Sequence, residues 1–172
     1  MKRNSGQGRS SRLGVLLSAA ALLVVPGVAG CSYVSPNTTA TTYAAADGTN
    51  GSITDPNSGA AVQLRNFLVV GTEKGAAGTL IGAVVNQGTS AVTVDLTVLD
   101  GAGQTSVGTG SVTVEPGKLA AVGGTDGAKV SLGSLPTAPG SVLKLQARTG
   151  AGTATISLPV LAAEGHYASL KP

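Results

Sequence analysis

The sequence predicts an all-β chain: an antiparallel β-sandwich of immunoglobulin-like type, with about seven or eight strands over residues 60–161. Three observations carry that expectation. From Ala60 onward, apolar residues recur with period two, clusters of Gly, Asn, Asp and Pro interrupt them at short intervals, and no apolar stripe of helical period appears. Glycine accounts for 26 of 172 residues, well above the usual share of about 7%. The glycines fall between the strand patterns and follow no fixed period, so they read as turn formers.

The clearest strand is "AVTVDLTVL", where Val92, Val94, Leu96 and Val98 share one face and Thr93, Asp95 and Thr97 the other. "SVLKLQART" sets Leu143, Leu145 and Ala147 against Lys144, Gln146 and Arg148, and "TATISLPVL" points Ala154, Ile156, Leu158 and Val160 inward. "VQLRNFLVV" and "GTLIGAVVN" are more continuously apolar and rich in β-branched residues, as central strands are. Weaker strands are expected at "GSVTVEP" and "KLAAVG", with a further one at "AKVSL". The turns between them are "GTEKGAAG", "NQGTS", "DGAGQ", "EPGK", "GGTDG" and "PTAPG". Pro159 cannot donate to a ladder, so the last strand is expected to lie at an edge or to end there. Residues 162–172 are expected to be an irregular C-terminal tail.

Ahead of the sandwich, residues 1–30 have the layout of a secretory signal. Lys2, Arg3, Arg9 and Arg12 form a basic start, Leu13–Val25 carries no charge, and Pro26, Gly27 and a run of small residues follow. Val28-Ala29-Gly30-Cys31 resembles the lipobox of bacterial lipoproteins. The resemblance implies that the Cys31 thiol takes a diacylglycerol through a thioether and that the chain is cut between Gly30 and Cys31. Small side chains let an extended backbone reach a peptidase site, and the thiol is the strongest nucleophile the chain offers. Two competing readings are an uncleaved membrane anchor and a secreted protein cut near Ala29. The first is weakened by Pro26, Gly27 and Gly30 in the last third of the span, and the second leaves Cys31 without a purpose. Cys31 is the only cysteine, so a disulfide within the chain is excluded.

From Cys31 to Gly59 the chain reads as a flexible tether (31–59), rich in Ser, Thr, Asn, Gly and Ala and without apolar periodicity; the competing reading is an ordered N-terminal extension lying along the domain, with Tyr43 docked on it. Its r.m.s. span would be roughly 30 Å. The implied location is the outer side of a cell membrane, with the lipid on Cys31 as the membrane contact.

Four of the 11 Lys and Arg lie in the signal, leaving 7 against 8 Asp and Glu, a net charge of −1 for the rest. With no basic cluster left, and Tyr33, Tyr43, Phe67 and Tyr167 as the only aromatics, neither a phosphate-tracking groove nor a base-stacking platform can form. Nucleic acid is therefore not an expected partner.

"TTYAAADGTNG", "VQLRNFLVVGTEKGAAGTLIGAVVNQG" and "VTVEPG" resemble actinobacterial-type lipoproteins related to the periplasmic copper chaperones of the PCu(A)C type. The resemblance runs from about Tyr43 to Leu161 and implies a cupredoxin-like sandwich. In that family copper is held by Met and His ligands. Here Met1 leaves with the signal and His166 is the one histidine, so the copper ligands are missing and no metal or other cofactor is expected.

No string of the type G-x-S-x-G, G-x-x-x-x-G-K-[ST], G-x-G-x-x-G or H-E-x-x-H occurs, and no catalytic residue is assigned. His166, in "EGHYASL", reads as an exposed tail residue. Asp95 and Asp100 read as solvated, and Asp47 and Asp55 have no spacing that suits a calcium loop. Arg65 and Asn66 interrupt an apolar strand and read as a structural pair. The expected function is a non-enzymatic binding or accessory module of the cell envelope, facing an envelope protein or the cell wall. The alternative is delivery of copper or a small ligand from a degenerate site.

Overall fold

Alternating strands become a sandwich only if every apolar face finds a partner, and one strand here serves two faces at once. The structure is a computed structural model that describes residues 46–170, all within one unit, Ala44–Pro172. Cys31, the signal and residues 31–45 of the expected tether lie outside the described residues. The strands are β1 (Thr49–Thr54), β2 (Ala61–Gly71), β3 (Gly78–Asn86), β4 (Val92–Leu99), β5 (Ser106–Val114), β6 (Leu119–Val122), β7 (Ser131–Leu132), β8 (Val142–Thr149) and β9 (Gly152–Ala162), followed by a 3-10 helix at Gly165–Leu170. Among the described residues no helix is long and apolar enough to cross a membrane.

The strand order is β5-β4-β8-β9-β2-β3-β6, with β1 added to β2 and β7 to β3. The all-β sandwich expected from the sequence is thus observed, in a sheet that nearly closes on itself. Its strand pairs are antiparallel except that of β2 with β9. β9 is the shared strand. Thr153 to Pro159 pair with β8, and Val160 to Ala162 pair in parallel with β2. Pro159 therefore lies inside the sheet and not at an edge, contrary to expectation. It stands opposite Val142 where one ladder hands over to the other. The next amide, Val160 N–H, donates to Ser141 O at 2.9 Å, while Gly140 N–H donates to Val160 O at 2.8 Å. Pro159 is thus the last residue paired with β8, and the β2 ladder starts one residue later, so its missing N–H falls between the two ladders.

β5 begins four residues earlier than the apolar pattern shows, because its inward positions there are Gly108 and Gly110. A Cβ on Gly110 would come within 2.5 Å of Val130 Cγ2, and one on Gly108 within 3.2 Å of Leu132 Cγ. The glycines let the 130–132 segment close against β5, so the sheet nearly completes its circuit by packing.

β1 corrects the expected tether. Its sequence "TNGSIT" offers one apolar side chain, Ile53, which is buried. Gly51 shares that inward face, and a Cβ there would meet Ile156 Cγ2 at 2.6 Å. The strand is held by pairing with β2, which composition does not reveal.

β2 contains the decisive irregularity. Val62 and Leu64 are buried, Arg65 and Asn66 are exposed, and Phe67 to Gly71 are buried. Asn66 has φ +51°, and the register against β3 shifts between Arg65 and Leu68. This is a β-bulge with Asn in the left-handed region, where it is among the few tolerated side chains. Its Oδ1 accepts Gly48 N–H at 2.8 Å and its own N–H donates to Asn50 Oδ1 at 2.8 Å. Arg65 extends along the surface and donates to Gln63 Oε1.

The inserted residue sends Phe67 and Val69 into the main core with Leu64, Leu80, Leu96 and Leu145. Phe67 lies over Gly82, where a Cβ would sit 2.6 Å from the ring. Leu68 and Val70 then face the other side, where Ala163, Tyr167 and Leu170 cover them. The tail from Ala163 to Leu170 is thus an ordered lid on the outer face of β2, and the expected irregular tail is corrected for those residues.

The fold sets two stability tests by thermal denaturation. Leu96 is fully buried and Thr93 exposed, so Leu96→Ala should cost ~2–5 kcal/mol, and Thr93→Ala, which loses its hydroxyl contact with Thr113, should cost well under half of that. At the bulge, Asn66→Val should destabilise by about 1–3 kcal/mol through left-handed strain, and Asn66→Gly by clearly less. Equal melting temperatures for the two Asn66 variants would contradict the strain argument.

Candidate functional site

Three connections far apart in sequence meet at one end of the sandwich: β1–β2, β3–β4 and β8–β9. They enclose an open cleft of about 550 Å³, bordered by residues from Asp55 to Val62, Asn86 to Val92, and Thr149 and Ala151.

Each wall is built by a side chain that ties up its own loop. On β1–β2, Asp55 Oδ1 accepts Asn57 N–H at 2.9 Å and Oδ2 accepts the Ser58 hydroxyl at 2.7 Å. The Asn57 amide, followed by the Ser58 hydroxyl, holds the Asp55 carboxyl below its usual range, so it is ionised at neutral pH. On β3–β4, Asn86 is buried. Its Nδ2 donates to Ser90 O at 2.8 Å and Val114 O at 3.0 Å, and its Oδ1 accepts Gly88 N–H at 2.9 Å. Gln87 N–H donates to Ala61 O at 2.9 Å, joining this wall to the first. On β8–β9, Thr149 Oγ1 accepts Ala151 N–H at 3.1 Å. The sequence marks the "NQGTS" turn but not the cleft, because its walls come from three separate loops.

A smaller depression of about 280 Å³ lies beside the C-terminal helix. Lys129 borders it with Thr79, Thr125, Ser131 and Ser169.

The residues singled out in the sequence do not converge. His166 is exposed on the 3-10 helix, edge-on to Tyr167 with ring centroids 5.3 Å apart. Asp47 and Asp55 lie at opposite ends of β1. Asp95 is exposed on the outer face of β4, opposite Ser111 and Arg148. Asp100 organises the β4–β5 turn by accepting Gln104 N–H at 2.9 Å, a contact that lowers its pKa. Among the described residues no three of His, Cys, Asp and Glu come together as a metal-binding group. Cys31 lies outside the described residues. No family model matches the chain, and no curated protein does.

Tyr167 ties the C-terminal helix to the start of the domain, its hydroxyl donating to Asp47 Oδ2 at 2.5 Å. That hydrogen bond, with minor desolvation and the carboxylate's charge, raises the phenol pKa above 10.0. A raised folded-state pKa means the contact stabilises fully below pH 10.0 and is lost as pH rises through the folded value. A phenolate absorbance titration of the chain, with Tyr167→Phe as the difference reference, should show Tyr167 ionising above its ordinary range. Asp47→Asn should bring it down, and an unmoved titration in that variant would refute the contact.

Proposed function

We propose that this chain is a lipid-anchored extracytoplasmic lipoprotein, acting as a non-enzymatic binding or accessory module of the cell envelope. The observation that carries the reading is Val28-Ala29-Gly30-Cys31, placed after thirteen uncharged residues and a basic start. A diacylglycerol thioether on Cys31 supplies two acyl chains. At about 0.8 kcal/mol per buried CH₂ they hold a protein on a bilayer where a single chain binds only marginally. The domain would then face outward on the cell membrane and meet an envelope protein or a cell-wall component through its loops.

The binding reading is favoured over copper delivery by ligand chemistry. Beyond residue 30 the chain has one imidazole and no thioether, its single thiol would be alkylated, and Cu(I) prefers several such soft donors. It is favoured over catalysis because a nucleophile, a base and an orienting group must converge, and one histidine exposed beside Tyr167 is a poor start for that.

Metabolic labelling tests the anchor. Cells expressing the wild-type chain should incorporate labelled palmitate into it, while Cys31→Ser should take up none and should accumulate as the uncut precursor. An unlabelled wild type would overturn the lipoprotein reading.

A further inference from the structure

The interior of this domain is almost wholly aliphatic. Among the described residues two buried side chains are polar, Asn86 at 2% exposure and Thr149 at 8%, and both border the cleft at the β1–β2, β3–β4 and β8–β9 end. Burying a polar group is costly unless it is bonded. The domain's polar burial is therefore concentrated where its surface is hollow.

We infer that this cleft binds a neutral saccharide. The inference rests on the binding-module reading and supplies its ligand class. The cleft's volume, about 550 Å³, falls within the range of small-ligand sites, ~300–1,000 Å³. Its charge excludes most alternatives. Among the described residues one ionised carboxylate, Asp55, borders it and no Lys or Arg does, so an anion would meet repulsion without compensation from them. A single carboxylate that already accepts two hydrogen bonds is far from the six to eight oxygens a calcium ion takes.

The polar side chains of the lining suit hydroxyl chemistry. Asp55 accepts one bond on each oxygen, so each keeps acceptor capacity for a sugar hydroxyl, while the buried Asn86 holds the β3–β4 loop in place behind the lining. The side chains of Gln87, Thr89 and Ser90 add amide and hydroxyl groups on the β3–β4 wall. Between the polar groups the lining is small and apolar, with Ala60, Ala61 and Ala91, so the C–H face of a pyranose or furanose ring can approach closely. Among the described residues the cleft has no aromatic platform, so a single sugar is expected to bind weakly.

The test is an amide-resolved NMR titration of the full chain in EDTA with N-acetylglucosamine, mannose, galactose and arabinose, and with glucuronate as the acidic comparison. At least one neutral sugar should shift the amides of Ser58, Gly88, Thr89 and Ala151, and glucuronate should bind about tenfold more weakly or worse. Thr89→Leu, on an exposed loop residue of the lining, should remove a hydroxyl, crowd the cleft without adding an aromatic face and weaken binding about tenfold or more while leaving the β4 and β8 amides in place. No response to any neutral sugar, an equal response to glucuronate, or shifts confined to other surfaces would overturn the inference. Palmitate labelling is indifferent to Thr89→Leu, so the sugar site and the lipid anchor fail separately.

Discussion

The bulge at Asn66 is the constraint on which the two faces of β2 depend. Without an inserted residue the parity set by Val62 and Leu64 would carry Asn66 and Leu68 into the sandwich and turn Phe67 and Val69 outward. With it, the one phenylalanine enters the core over Gly82, and Leu68 and Val70 become a second apolar surface. That surface is covered by the C-terminal helix, whose Tyr167 reaches Asp47 just before β1. β1 in turn is locked to the bulge through Gly48 and Asn50. One left-handed residue therefore couples the first strand, the central strand and the last helix.

The same device explains what the sequence could and could not reveal. Strict alternation is legible in β4 and β8 because buried residues alternate with exposed or half-buried ones along each. In β2 the run Phe67–Gly71 is apolar on both sides for two different reasons, the core and the C-terminal lid, and periodicity cannot separate them. β1 and the start of β5 are hidden because glycine occupies inward positions where a neighbouring side chain comes too close for a Cβ. Composition reads such segments as linkers. The edge expected at Pro159 misses because proline's missing donor is equally acceptable where a strand changes partners, and only the three-dimensional pairing of β9 distinguishes the two.

The candidate site was less legible than the fold. Asp55, Asn86 and Thr149 are ordinary turn residues in the linear sequence, and each does organise its own turn. Their common location arises from strand order, since β1–β2, β3–β4 and β8–β9 are neighbours only once the sheet is assembled. The residues with the most suggestive chemistry in isolation, His166 and the scattered aspartates, are the ones the fold keeps apart.

The placement of the cleft also fits a tethered module. The described chain enters beside Asn66, runs through β1 and arrives at Asp55 in the cleft wall. Six strand residues at about 3.3 Å each separate the two points by roughly 20 Å. A chain held through its N-terminal side would have the attachment at one end of β1 and the cleft at the other. Tension from that side would load the Tyr167–Asp47 hydrogen bond first, then Gly48–Asn66, with Asn50–Asn66 reinforcing the start of the β1–β2 ladder. The loops that border the cleft lie at the far end of β1 from these contacts, so the bulge that sets the core also separates the start of the domain from the cleft.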